Sequence, residues 1–215
     1  WMELLVAEAD ESDGSFLHLS PVIAVITNID PEHLDHYGDI ESLREAFVRF
    51  ANRVPFYGLV VACLDHPQVQ HILPAIEKRT VTYGMTAQAD YRAREPRMSG
   101  LTSGFELVRR GESLGQFKVN MPGIHNVYNT LAAIAVSDEL QLDLAGAGQA
   151  LTGFAGVQRR FTVLGERGGI TVVDDYGHHP AEVQATLEAA QRAYSRRLMV
   201  VLQPHRYSRH HPLLE

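Results

Sequence analysis

Residues 22–30 read Val-Ile-Ala-Val-Ile-Thr-Asn-Ile-Asp, and this stretch decides the fold. A short, continuous apolar run of this kind predicts a buried strand over residues 22–27, with polar side chains directly at its end. A helix is expected next, because Asp39 is a suitable N-cap and apolar residues recur at helical spacing across residues 40–50. A buried strand followed by an amphipathic helix is typical of α/β proteins.

The same alternation of apolar runs and helical patterns continues along the chain. We expect further strands at residues 4–7, 59–63, 81–83, 170–173 and 198–202, and helices at residues 67–76, 126–140, 143–151 and 180–194. Residues 105–108 and 117–119 flank Arg110-Gly111-Glu112, which predicts an antiparallel hairpin. The strand, helix and strand between residues 170 and 202 predict a βαβ unit, which implies a parallel sheet.

Composition narrows the classes of protein and partner. The chain has 215 residues, of which 45% are hydrophobic, and a net charge of −7. There is no basic stripe in the sequence, which argues against a nucleic-acid partner. The longest apolar runs are far too short to span a bilayer, so we expect no membrane partner. Cys63 is the only cysteine, which favours a reducing compartment, and a cytoplasmic location is expected.

Four polar clusters accompany the predicted strand ends, where ligands bind in open α/β sheets. The first cluster holds four carboxylates within six residues: Glu8, Asp10, Glu11 and Asp13. A magnesium ion would neutralise their mutual repulsion, because magnesium prefers carboxylate, water and phosphate oxygens. A solvated acidic loop explains the same residues, and the spacing alone leaves both interpretations open.

The second cluster combines two histidines with acidic and amide side chains: Asn28, Asp30, Glu32, His33, Asp35 and His36. Such a set suits a zinc or manganese ion and, taken alone, equally suggests a metal-dependent hydrolase. The alternative is a loop in which an aspartate caps a helix and the histidines lie on the surface.

The third cluster, His125-Asn126-Val127-Tyr128-Asn129, opens a predicted helix. Asn126 and Asn129 are three residues apart and therefore share one helical face. An amide side chain offers both a donor and an acceptor, which suits an adenine edge. The residues alone favour a simpler interpretation, in which Asn126 caps the helix and Asn129 is solvated.

The fourth cluster comprises residues 174–180 and 205–209. An acidic strand end can hydrogen-bond a ribose hydroxyl, and paired arginines such as Arg206 and Arg209 suit a carboxylate or a phosphate. Helix capping by His179-Pro180 and a basic surface loop are the alternative, but the density of polar groups favours a site. No segment of the sequence matches the Gly-x-x-x-x-Gly-Lys-Ser/Thr phosphate loop.

Four stretches, in order, resemble motifs of the Mur ligase family, the ATP-dependent amino-acid ligases of peptidoglycan synthesis: residues 8–17, 27–35, 174–180 and 203–209. The resemblance implies an α/β fold. Residues 1–155 would form a central ATPase-type domain with a mostly parallel sheet, helices and an antiparallel hairpin region. Residues 156–215 would form the start of a Rossmann-like C-terminal domain. It also implies a fragment without the family's phosphate loop and UDP-binding domain, which would be inactive alone.

The resemblance also assigns roles to individual residues. Glu8 and His33 resemble the family's magnesium ligands. Four residues resemble its ATP-contacting groups: Asn126 and Asn129 at the adenine, Arg160 at a phosphate and Asp175 at the ribose. Four others resemble the groups around the incoming amino acid: Tyr176, His178, Arg206 and Arg209. The last three of these are the catalytic candidates.

The implied reaction consumes ATP with Mg²⁺ and joins L-alanine to UDP-N-acetylmuramate through an acyl phosphate. Several members of the family use a carbamylated lysine after the metal-binding histidine. The absence of lysine from residues 39–54 fits the alanine-adding branch. Two other hypotheses are a metal-dependent phosphohydrolase using Glu8 and His33, and a non-catalytic nucleotide-binding module.

Overall fold

The computed structural model describes residues 4–31 and 34–203. Within these residues one sheet has six strands, in the order β1 Ile23–Ile26, β2 Leu59–Cys63, β3 Thr80–Gly84, β4 Tyr91–Ser99, β5 Thr102–Arg109 and β6 Glu112–Val119. A second sheet contains β7 Thr162–Arg167 and β8 Ile170–Asp174. The α-helices are α1 Leu34–Tyr37, α2 Ile40–Asn52, α3 Pro67–Ile72, α4 Ile124–Glu139, α5 Leu144–Gly153 and α6 Pro180–Ala193. The predicted α/β class is therefore confirmed.

The chain divides into two compact units. One comprises residues 1–92, 108–112 and 131–141, and the other comprises residues 93–107, 113–130 and 142–215. The domain boundary expected near residue 155 stays a prediction. No helix in the described part of the chain is long and apolar enough to cross a membrane.

The first unit is built on parallel strands and the helices between them. Strand β2 is buried at every position and pairs in parallel with β1 on one side and β3 on the other. Helix α2 begins where predicted, because the Asp39 carboxylate accepts a hydrogen bond from the Ser42 N–H at 2.7 Å. Its apolar face buries Leu43, Ala46 and Phe50 against the strands and closes the core.

The predicted hairpin is also present. Strands β5 and β6 are neighbours in the sheet and are joined by Arg110 and Gly111 alone. A two-residue connection joins antiparallel strands. Both connecting residues have positive φ, 48° and 90°, as a type I′ turn requires.

The prediction of a βαβ unit in residues 170–202 is wrong. Strand β8 pairs antiparallel with β7, a strand that the sequence did not indicate, through a turn at Gly168-Gly169. Residues 198–202 form no strand, and their side chains are exposed, Val201 to 98%. An apolar run becomes a strand only where a neighbouring strand supplies hydrogen bonds, and β8 has that partner in β7 instead.

The prediction of a strand at residues 4–7 is wrong for a related reason. These residues adopt no regular structure, and Leu5 and Val6 are 94% and 92% exposed. Among the described residues, β1 lies at the edge of the main sheet, with β2 as its one neighbour. Glu8 therefore follows a segment without regular structure rather than a strand end.

Candidate functional site

The acidic loop, residues 8–14, is shaped by its own carboxylates. Asp10 accepts a hydrogen bond from the Ser12 N–H at 2.8 Å, and Asp13 accepts one from the Ser15 N–H at 2.9 Å. These turns lead into a short 3-10 helix, Ser15–His18. Hydrogen bonds from Ser15 hold the pKa of the Asp13 carboxyl below its usual range. Two of the four carboxylates, those of Asp10 and Asp13, therefore stabilise the loop itself.

Two aromatic side chains fasten the acidic loop to the first unit. Phe16 is 2% exposed and packs against the rings of Phe47 and Phe50 on α2, at centroid distances of 5.3 and 5.1 Å. The Tyr37 hydroxyl, at the end of α1, donates a hydrogen bond to the Glu11 carbonyl. The loop is thus held at its middle and at its C-terminal end.

Glu8 remains available for a ligand. Its side chain is exposed, and no group within residues 4–31 and 34–203 pairs with its carboxylate. An unpaired carboxylate suits a hard cation such as magnesium. The second expected ligand, His33, lies outside the described residues, as does Glu32. Among residues 4–31 and 34–203, no three His, Cys, Asp or Glu side chains converge as a metal site.

The other members of the second cluster have separate surroundings. Asp30 lies 3.4 Å from the His66 Nε2 at the start of α3. His36 lies against Gly14, where a Cβ atom would come within 3.0 Å of its Nε2. Asp35 is exposed. The described members of this cluster are therefore spread over different contacts, and the zinc or manganese interpretation finds no support among them.

In the second unit, the first turn of α4 carries the asparagine pair. The Asn126 amide donates a hydrogen bond to the Pro122 carbonyl at 2.7 Å and lies 3.1 Å from the His125 Nε2. Asn126 is the third residue of α4, so it is inside the helix rather than at its N-cap. Its Oδ1 has no hydrogen bond among the described residues, and an acceptor is left for a ligand.

Asn129 lies one turn further along α4. Its side chain is exposed and has no protein partner within the described chain. The two amides therefore present unused polar groups from one face of the helix. This arrangement fits an adenine edge and equally fits solvation of Asn129.

The side chain of His125, beside Asn126, is half-buried. Its ring fills the space above Gly123, where a Cβ atom would come within 2.5 Å of the imidazole Cε1. The buried Nδ1 has no hydrogen-bond partner among the described residues. Burial lowers the pKa of the imidazole, against the attraction of the Asp175 charge, so His125 is neutral at pH 7.

Glu182 connects Arg160 to the loop that precedes α6. One oxygen of its carboxylate accepts from the Arg160 guanidinium at 3.0 Å. The other accepts from the backbone N–H groups of His178 at 3.1 Å and His179 at 3.3 Å. Partial burial opposes ionisation, but these hydrogen bonds outweigh it and lower the pKa of the Glu182 carboxyl. Glu182 stands three positions after the N-cap His179, which is where a capping box has its acidic residue, so the sequence contains a signal for this role.

Asp175 uses both oxygens of its carboxylate on backbone groups. Oδ2 accepts from the Phe161 N–H at 2.8 Å, and Oδ1 accepts from the Gly177 N–H at 2.7 Å. Each oxygen keeps a second lone pair, so a further donor such as a ribose hydroxyl could still bind. The ribose role stays a prediction, and the bonds made by Asp175 are structural.

Two aromatic rings and a guanidinium pack together next to Asp175. The Arg159 guanidinium lies 4.6 Å above the Tyr176 ring, and the Tyr176 and His178 rings meet edge to face at 5.5 Å. Tyr176 is 46% exposed, which leaves its hydroxyl accessible to a ligand. Arg206 and Arg209 lie outside the described residues. Of the four residues expected around the amino acid, the structure therefore describes Tyr176 and His178, and their role stays a prediction.

Comparison with known proteins identifies relatives over the whole chain. The Mur ligase middle domain matches residues 1–137, and the Mur ligase glutamate ligase domain matches residues 159–215. The UDP-N-acetylmuramate–L-alanine ligase of Myxococcus xanthus is 61% identical over 99% of this chain, which corresponds to 45% of the relative. The enzyme of the same description from Sorangium cellulosum is 60% identical over 99% of the chain and 46% of the relative.

A solved structure is also similar to this chain in its fold. The crystal structure of the UDP-N-acetylmuramate–alanine ligase from Thermotoga maritima superimposes with a TM-score of 0.75 and 31% identity. The match covers 87% of this chain and 42% of the other. The chain thus spans a little under half the length of the curated relatives it matches.

Proposed function

The chain belongs to the Mur ligase family, and from this premise we propose that it forms part of an ATP-dependent ligase that adds L-alanine to UDP-N-acetylmuramate in peptidoglycan synthesis. The observation that carries the proposal is the 61% identity, over 99% of the chain, to a relative of that description. A cytoplasmic location follows from the same proposal, because the nucleotide substrates are cytoplasmic metabolites.

The proposed chemistry is acyl-phosphate formation followed by amide formation. The muramoyl carboxylate attacks the γ-phosphate of ATP and ADP leaves. The alanine amine then attacks the acyl phosphate through a tetrahedral intermediate, which releases inorganic phosphate. Positioning and electrostatic stabilisation supply most of the rate in phosphoryl transfers of this type.

Magnesium is proposed at Glu8 and His33. The exposed carboxylate of Glu8, which has no partner among residues 4–31 and 34–203, supports this role, and hydrogen bonds at Asp10 and Glu11 hold the loop that follows it. When bound, the ion would screen negative charge on the transferring phosphoryl group. The neighbouring Asp10 and Asp13 preserve the loop rather than bind the ion.

Nucleotide contacts are proposed for four residues of the second unit: Asn126 and Asn129 at adenine, Arg160 at phosphate and Asp175 at ribose. The unused Oδ1 of Asn126 and the exposed amide of Asn129 support the adenine contacts. Among residues 4–31 and 34–203, the Arg160 guanidinium donates to Glu182 alone, which leaves four of its five N–H donors for a phosphate.

Amino-acid contacts are proposed for Tyr176, His178, Arg206 and Arg209, the last three with a catalytic role. The accessible Tyr176 ring and its edge contact with His178 support two of them. An arginine pair suits the carboxylate of alanine, because guanidinium groups bind carboxylates in a bidentate manner.

The test is ADP release by the complete gene product that contains this chain. We expect ADP formation to require UDP-N-acetylmuramate, L-alanine and Mg²⁺ together, with UDP-N-acetylmuramoyl-alanine as a product. Phosphate release from ATP without the amino acid, abolished by His33→Ala, would instead indicate a phosphohydrolase. Nucleotide binding without turnover under all of these conditions would indicate a non-catalytic module.

A further inference from the structure

The turn that carries Arg160 is held in an unfavourable backbone conformation. Arg159 and Phe161 have φ values of 58° and 52°, in the left-handed region that residues with a Cβ rarely adopt. Two such residues within three positions make this turn prone to relax unless other contacts hold it.

Besides the bond from the Arg160 N–H to the Val157 carbonyl at 3.1 Å, three hydrogen bonds hold the turn. The Arg159 N–H donates to the Thr162 hydroxyl at 2.9 Å, and the Arg159 carbonyl accepts from the Tyr176 N–H at 2.7 Å. The third is the bond from the Phe161 N–H to the Asp175 carboxylate at 2.8 Å. It is the one bond of the three with a charged partner, and such bonds are the stronger kind.

Asp175 also ties the turn to the loop before α6. Its other oxygen accepts from the Gly177 N–H, in a site so close that a Cβ on Gly177 would lie 2.8 Å from Oδ1. The Arg160 side chain reaches the same loop through Glu182. The Asp175 and Glu182 carboxylates therefore fix the backbone turn and the guanidinium of Arg160, and both also accept hydrogen bonds from backbone N–H groups of residues 177–179.

We propose that Asp175 is a positioning residue for nucleotide binding, which holds the left-handed turn at residues 159–161 so that Arg160 is presented to a nucleotide phosphate. This inference rests on the proposed function, in which Arg160 contacts that phosphate. Asp175 would then have two roles, the direct contact with the ribose and an indirect effect on phosphate binding that acts through Arg160.

The test measures KM for ATP in the complete gene product. Asp175→Asn replaces one acceptor oxygen with an amide that cannot accept from a backbone N–H, so we expect KM for ATP to rise about tenfold with a smaller change in kcat. In an Arg160→Ala background the same substitution should change KM less than about twofold, because its effect passes through Arg160. Phe161→Gly should partly rescue Asp175→Asn, because glycine adopts positive φ without strain.

A second variant covers the case in which Asp175→Asn does not fold. Thr162→Val removes the acceptor for the Arg159 N–H, keeps a β-branched residue in β7, and should raise KM for ATP about threefold, again through Arg160. The matched control is Asp174→Asn. Asp174 makes a 3.5 Å contact to Arg159 in which both side chains are well exposed, so little effect is expected.

Deoxynucleotides separate the positioning role from a direct ribose contact. We expect Asp175→Asn to weaken ATP, 2′-deoxy-ATP and 3′-deoxy-ATP by a common factor through Arg160, on top of any loss confined to one hydroxyl. The proposal is overturned if the effect of Asp175→Asn is undiminished in the Arg160→Ala background, or if it disappears with one deoxynucleotide. If the unmodified protein turns over no ATP, the proposed function fails first, and the inference fails with it.

Discussion

Phe16→Ala is the perturbation that most directly tests how the acidic loop is held. The Phe16 ring is 2% exposed and contacts two other rings, so its removal leaves a cavity that Phe47 and Phe50 cannot fill without moving. Truncating a buried phenylalanine costs about 3–5 kcal/mol, and aromatic pairs contribute roughly 0.5–1.5 kcal/mol each beyond area burial. We therefore expect a loss of about 4 kcal/mol in the free energy of unfolding.

The assay is equilibrium denaturation followed by circular dichroism, with hydrogen exchange measured on peptides covering residues 8–19. The matched control is Phe56→Ala, because Phe56 is 91% exposed and should cost less than about 0.5 kcal/mol. Hydrogen exchange in residues 8–19 should accelerate in Phe16→Ala and not in the control. Equal losses in the two variants would refute the reasoning that Phe16 anchors the loop.

Three further predictions concern other parts of the structure. Gly84→Ala should lower the free energy of unfolding by about 1–3 kcal/mol, because the new Cβ would lie 2.5 Å from the Asp65 carboxylate. The control in the denaturation experiment is Gly104→Ala, whose Cβ would lie 3.5 Å from its nearest neighbour. His125 should titrate below 6.5 by NMR. Because its folded-state pKa is lowered, the contribution of His125 to the free energy of unfolding is complete above pH 6.5 and is lost as pH falls below that value. A midpoint of titration above 6.5 would contradict the burial argument. Asp143→Ala should cost about 1 kcal/mol through loss of the N-cap of α5, whereas Asp143→Asn should cost less; equal losses would exclude capping as the cause.

The elements that could be predicted from the sequence are those specified by nearby residues. Helix α2 follows from the Asp39 cap and the spacing of Leu43 and Phe50, and the β5–β6 hairpin follows from its Arg110-Gly111 turn. The apolar runs at residues 4–7 and 198–202 looked equally like strands. They are not strands, because strand formation depends on a partner elsewhere in the chain. Strand β7 was missed for the converse reason, since most of its side chains are exposed and its sequence has no regular apolar alternation.

The candidate site divides in the same way. Residue types left a ligand role open at Glu8 and favoured capping and solvation at Asn126 and Asn129, where the family resemblance alone indicated ligand chemistry. Among residues 4–31 and 34–203, the structure leaves those side chains with unused polar groups. The backbone bonds of Asp175 could not be predicted, because they depend on a left-handed turn that brings Phe161 back to residue 175. Glu182 was within reach, since its position after His179 is the position of a capping-box acid.

We propose that this chain belongs to a ligase that activates a carboxylate as an acyl phosphate. The most direct measurement is the transfer of isotope from UDP-N-acetylmuramate carrying ¹⁸O in its carboxylate, incubated with the complete gene product, ATP, Mg²⁺ and L-alanine. We expect one ¹⁸O atom in each molecule of inorganic phosphate released, because the carboxylate oxygen that attacks the γ-phosphate leaves with it. Inorganic phosphate that carries no ¹⁸O while ADP is formed would exclude an acyl-phosphate intermediate.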